Sequence, residues 1–120
     1  MMTSRQIAET IVSVLSKRIG RDIKLLQIDS ITVIADYFVI CTANTATQIK
    51  SLCDEVEAAL EEQGERVLHR EGYRQGGWVL LDYGCVIVHV FLEETRAFYD
   101  LERLWADAKD VDVSAIVGER

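Results

Sequence analysis

At 120 residues, 49% hydrophobic and 28% charged, the chain has the size of one globular domain with a core of its own, and two independent domains would not fit. A formal net charge of −7 repels a phosphate backbone and suits a basic protein surface instead. No run approaches the ~20 apolar residues of a membrane span. The start of the chain has neither the apolar core of a signal peptide nor the Arg- and Ser-rich character of a transit sequence. Cys41, Cys53 and Cys85 lack the paired short spacing of a zinc or redox site. The expectation is a cytoplasmic protein with reduced thiols, no metal and no cofactor.

Thr3 or Ser4 can cap a first helix, along which Ile7, Ile11, Leu15 and Ile19 recur at four-residue spacing, and Gly20 closes it. Ile23 to Ile28 alternates weakly, Asp29-Ser30 reads as a turn, and Tyr37 to Cys41 is a second apolar run, so both runs are predicted strands. Thr45 with Gln48 resembles a capping box. It opens a second helix whose stripe Ile49, Leu52, Cys53, Val56 and Leu60 lies opposite Asp54, Glu55, Glu57, Glu61 and Glu62, and which ends at Gly64.

Arg66 to Glu71 fits a further strand, followed by Gly72 and the Gly76-Gly77 turn. Trp78 to Tyr83 and Cys85 to Leu92, joined through Gly84, form an antiparallel hairpin. Thr95 can cap a last helix carrying Phe98, Leu101 and Trp105 on one side. Asp110 to Arg120 has no clear period and fits a frayed helix, a short strand or a mobile tail. Helices separate some strands while a tight turn joins others, which implies an α/β domain with a mixed, parallel and antiparallel sheet of about five strands flanked by helices.

No catalytic set emerges. His89 lies within the apolar run Val86 to Val90, where a histidine closing a hydrogen bond beside the core is favoured over a catalytic one, and His69 faces solvent. Gly72, Gly76, Gly77 and Gly84 match neither a dinucleotide fingerprint nor a P-loop, and the carboxylates of the second helix form a solvated face. In the hairpin, alternation puts Trp78, Leu80 and Asp82 on one face and Val79, Leu81 and Tyr83 on the other. A face carrying a tryptophan beside a carboxylate suits a partner surface, and periodicity supports Trp78 in the core equally well.

The stretches Ala35 to Thr42, Glu71-Gly72, Trp78 to Gly84, Val86 to Phe91 and Arg96 to Trp105, in this order and spacing, resemble the Iojap-like ribosomal silencing factors over about residues 4 to 107. The resemblance implies a domain over residues 1–108 with a nucleotidyltransferase-like topology but no catalytic site, followed by a tail over residues 109–120. It implies a translation repressor that binds the large ribosomal subunit through its protein fourteen and sterically blocks subunit joining under nutrient limitation. It also implies a homodimer when free, and with the charge and the absence of a long apolar run the expectation is no direct sequence-specific nucleic-acid binding and no membrane binding. Carried over residue by residue, Trp78 and Leu80 are expected as apolar anchors, Asp82 and Glu102 as acidic contacts, and Arg96 and Tyr99 at the edge of the same surface. The rival classes are a dimeric adaptor for another basic protein and a degenerate nucleotidyltransferase; the latter would need two carboxylates beside a glycine-serine turn, and Thr42 to Thr47 supplies neither.

Overall fold

A computed structural model describes residues 2–72 and 77–118. In chain order the elements are α1 (Ser4–Lys17), β1 (Arg21–Gln27), β2 (Tyr37–Ala43), α2 (Ala46–Glu62), β3 (His69–Glu71), β4 (Trp78–Asp82), β5 (Val86–Leu92), α3 (Glu93–Tyr99), α4 (Leu101–Leu104), β6 (Lys109–Val111) and α5 (Ser114–Val117). The strands make one sheet in the order β3-β4-β5-β2-β1-β6. Among the described residues β2 and β5 are the one parallel pair, and the other pairs are antiparallel. The two parallel strands are the most continuously apolar in the chain and sit at the centre, buried along nearly their whole length. Strands buried on both faces lose the alternation that marks a half-exposed strand.

The sheet separates two cores. On one face Ile11 and Leu15 of α1 and Ile49, Leu52, Val56 and Leu60 of α2 pack with Val39, Val79, Leu81, Val88 and Val90. On the other, Leu26, Ile28, Phe38, Ile40, Ile87 and Phe91 form a smaller core. Among the described residues the cover here is the short α3–α4 segment and its continuation, with Leu101, Trp105 and Ala108 half-buried against it. A single strap of seven-residue and four-residue helices is too small to hide a six-stranded sheet. Trp78 and Leu80 are accordingly left half-buried.

Several local expectations resolve differently. The periodic reading carried α1 to Ile19, but the helix ends at Lys17 and Ile19 is 67% exposed with a left-handed φ of 66°. The Ile19 and Gly20 amides donate to the Ser16 and Leu15 carbonyls, a Schellman ending. Gly20 is not the left-handed residue of that ending. It is required because a Cβ there would lie 2.5 Å from Cys41 Sγ and 2.9 Å from the Leu15 carbonyl oxygen. Thr3 makes the full capping box with Gln6. Thr45 receives the Gln48 amide, but the Gln48 side chain accepts from Asn44 rather than closing the box on Thr45.

Thr95 lies inside α3 and caps nothing, because the helix begins directly at the end of β5 with Leu92 in the cap position. Phe98 does not share a side with Leu101 and Trp105. Asp100, at a φ of 47°, breaks the presumed helix into α3 and α4, and Phe98 is left 81% exposed. Of Arg66 to Glu71 only His69–Glu71 is strand, and Gly76 lies outside the described residues. The alternatives left open beyond Asp110 resolve as a short strand, β6, paired with β1, and a helical turn, α5, whose Val117 carbonyl accepts from Ser16 Oγ at 3.2 Å. β6 is the sixth strand, where about five were expected.

Candidate partner-binding face

The hairpin builds the face by alternation. Val79 and Leu81 point to α1 and α2, whereas Trp78, Leu80 and Asp82 point the other way, opposite Phe91, His89 and Ile87 of β5. A ladder of aromatic rings rises from the core to solvent there. Phe91 is fully buried; Trp78 stacks on it at 4.9 Å; Tyr99 of α3 lies 4.8 Å from Trp78; and Phe98 meets Tyr99 edge-on at 5.1 Å. Tyr99 is 51% exposed and Phe98 81%, so the ladder ends in water. Trp78 packs against the smaller core on one side and is half-exposed on the other, so it joins the two readings that periodicity left even.

His89 anchors the ladder from below. Trp78 Nε1–H donates to His89 Nδ1 at 3.2 Å, and the Phe38 ring meets the imidazole edge-on at 5.0 Å. Burial alone pushes its pKa down from the usual 6.5 to about 4. With Nδ1 accepting, the neutral ring carries its proton on Nε2. The reading of His89 as a histidine hydrogen-bonded beside the core holds, and its bond runs to the very tryptophan that carries the face.

Arg96 points inward rather than toward a partner. Its side chain is 11% exposed. It grips Glu102 through two parallel bonds, Nε to Oε1 at 3.1 Å and Nη2 to Oε2 at 3.2 Å, while Nη1 donates to the Asp22 carbonyl at 2.7 Å and to Thr42 Oγ1 at 2.8 Å. The Asp22 carbonyl is presented where Asp22 takes a φ of 49° and the β1–β2 register shifts. One guanidinium therefore ties the strap α3–α4 to β1 and β2, and thereby holds Tyr99 over Trp78. Asp22 carries no mark in the sequence and Thr42 only its place at the end of the Ala35 to Thr42 motif, because each contributes through a position in the fold.

Replacing Arg96 by Met is expected to destabilise the chain by about 2 kcal/mol, since it strands the buried Thr42 hydroxyl and breaks a charge-assisted pair. Arg96→Lys should rescue little, because one ammonium cannot serve three partners in a planar fork. Urea unfolding of the two variants checks this; near-wild-type stability of Arg96→Lys would contradict it.

Of the other residues picked from the sequence, Leu80 is half-buried beside Trp78, and Asp82 closes the same strand with one carboxylate oxygen accepting the Gly84 amide at 2.7 Å. Glu102 is 28% exposed and engaged by Arg96. On the neighbouring β3, His69 pairs in register with Asp82 and Glu71 with Leu80. The His69 imidazole and the Glu71 carboxylate lie 3.0 Å apart, both well exposed. The face is thus an apolar centre with acidic groups along one side. Among the described residues no group of three His, Cys, Asp or Glu side chains is placed to hold a metal ion, and no helix is long and apolar enough to cross a membrane.

The family model described as "Ribosomal silencing factor during starvation" matches residues 1–120. The ribosomal silencing factor of Halalkalibacterium halodurans is 34% identical over 116 residues, covering 97% of this chain and 99% of that protein. The chloroplastic protein Iojap of Zea mays is 32% identical over 92 residues, which is 77% of this chain and 40% of the plant protein. A crystal structure of a Chromobacterium violaceum protein superimposes with a TM-score of 0.84 at 33% identity, covering 88% of each chain. A match that spans the whole chain, together with a shared fold, places this protein in the Iojap-like family of ribosomal silencing factors.

Proposed function

We propose that the chain represses translation by docking its open sheet face on the large ribosomal subunit, against the basic ribosomal protein fourteen, where its bulk blocks the small subunit from joining. The observation that carries this reading is the ring ladder Phe91, Trp78, Tyr99 and Phe98, which climbs from the core into water on the sheet face that also carries Leu80, Asp82 and Glu71. Aromatic anchors ringed by charge are what a protein interface uses for affinity and for choice of partner. Trp78, Leu80 and Tyr99 are the apolar anchors and Asp82 the acidic contact. Glu102 adds charge at the strap, and Arg96 acts by holding that strap in place.

The mechanism needs no covalent step: an occupied docking surface excludes the second subunit. Away from the ribosome the same face pairs with a second copy, which removes exposed rings from water. The site of action is the cytoplasm, where ribosomes join. The test is sedimentation of the protein with isolated large subunits, isolated small subunits and joined ribosomes. Travel with large subunits, and a falling share of joined ribosomes as the protein is added in excess, is the expected result. Equal travel with both subunits, or joining that proceeds undisturbed, would refute it.

A further inference from the structure

One end of the sheet carries a second set of exposed apolar side chains that the ladder does not use. Val33 is 103% exposed, Leu68 72%, Ile34 58% and Ile31 44%. They come from two segments fastened to the same turn between β4 and β5. From the β1–β2 loop, the Asp36 and Tyr37 amides donate to the Cys85 carbonyl at 2.8 and 3.2 Å. From the segment before β3, the Leu68 amide donates to the Asp82 carbonyl at 2.8 Å, and Leu68 Cδ1 lies 3.2 Å from where a Cβ on Gly84 would stand.

The loop is not slack. The Ile31 and Thr32 amides donate to the Ile28 carbonyl, the Ile34 amide to Thr32 Oγ1, and the Ile28 amide to the Asp36 carbonyl. Three aliphatic side chains are therefore held out into water on a hydrogen-bonded backbone, an arrangement that lowers the ordering cost of binding. Single exposed aliphatics are ordinary, but four around one turn are not.

The charge around them selects the occupant. Asp29, Asp36, Glu65 and Asp82 lie at this end against Arg66 and Lys109, and Arg5, which reaches Tyr37, is already paired with Glu9. Asp36 and Glu65 are close enough to the Cys85 thiol to help raise its pKa, after burial. A second copy docked on this end would bring these acids face to face, so the pairing of copies proposed above is confined to the rings around Trp78, and a nucleic acid would add phosphates to the acids. A basic protein segment meets neither penalty. Asp82 belongs both to this end and to the Trp78 face, so the two surfaces are continuous.

We propose that Ile31, Val33, Ile34 and Leu68 form a second apolar contact that grips a basic protein segment carrying an aliphatic or aromatic residue between its cations. This contact extends the footprint of the large-subunit partner from Trp78 across Asp82 to the end of the sheet, and so rests on the docking reading above. It makes the β1–β2 loop a determinant of partner choice.

The experiment measures binding of purified large ribosomal subunits to the wild-type chain, to the double variant Val33→Ser/Ile34→Ser, to Leu68→Ser and to Trp78→Ala. The exposed-end variants are expected to keep the wild-type melting temperature and to bind at least about tenfold more weakly. Wild-type affinity in both exposed-end variants alongside weakened Trp78→Ala overturns this contact and leaves the docking face standing. A wild-type chain that does not bind large subunits at all overturns both. If the exposed-end variants bind normally but run as monomers where the wild type runs as a dimer, the occupant is a second copy and the proposal fails.

Discussion

Acidification from about pH 7 to about pH 4 should remove about 3 kcal/mol of folding stability through His89 alone. The imidazole is buried among Trp78, Phe38 and Phe91, where desolvation penalises the charged ring, and no acidic side chain contributes to its shift. In the unfolded chain it binds a proton near pH 6.5, and in the folded chain only near pH 4. Between those values the unfolded state holds more protons, so stability rises with pH there. The stabilising difference is complete above about pH 6.5 and is progressively lost as the pH falls toward 4.

The variant that isolates this effect is His89→Asn, whose side-chain oxygen can still accept the Trp78 N–H but does not titrate. Urea unfolding at both pH values, wild type against His89→Asn, reads the difference. An equally steep acid loss in the variant would show that carboxylates elsewhere, not His89, set the slope. Because the imidazole supports Trp78, weakened partner binding should follow the same acid limb.

Much of this architecture is legible in the sequence, and what is not has physical causes. α1, α2 and the hairpin were readable because each buries one well-defined stripe or alternation, so periodicity reports burial directly. β6 was not: three residues, Lys109–Val111, with one buried side chain carry no period, and the strand exists because β1 offers an unpaired edge. The broken helix escaped for a related reason. The spacing of Phe98, Leu101 and Trp105 suits one continuous helix, and only the left-handed Asp100 turns Phe98 outward.

At the candidate face, Trp78, Leu80 and Asp82 could be grouped from strand alternation alone. Tyr99 joins them only through the resemblance, because the chain between it and Trp78 passes through β5 and no local period links the two. The resemblance marks Arg96 and Glu102 as parts of a surface, yet the clamp in which Arg96 holds Glu102, Asp22 and Thr42 depends on a register shift in β1 that no local pattern announces. Residues that act by holding others in place leave weaker traces in a sequence than residues that fill a core.

Trp78→Ala is expected to weaken large-subunit binding by about 3 kcal/mol, more than a hundredfold, if the ring ladder is the centre of the interface. The substitution removes the middle of the ladder: Tyr99 loses its support, and Phe91 loses its cover. It also leaves His89 Nδ1 without its donor, so some folding stability goes with it. Two further variants separate the effects. Trp78→Phe keeps a stacked ring but has no N–H, so it should lower stability modestly while retaining most of the binding. Tyr99→Ser removes a half-exposed ring and should leave the melting temperature near that of the wild type while binding falls by about 1 to 2 kcal/mol. If Tyr99→Ser binds as well as the wild type, and Trp78→Ala loses binding only in proportion to its loss of folded protein, then Trp78 is a core residue and the partner docks elsewhere. A large binding loss in both, with folded protein at the assay temperature, would instead make the exposed end of the ladder the place where the ribosome is met.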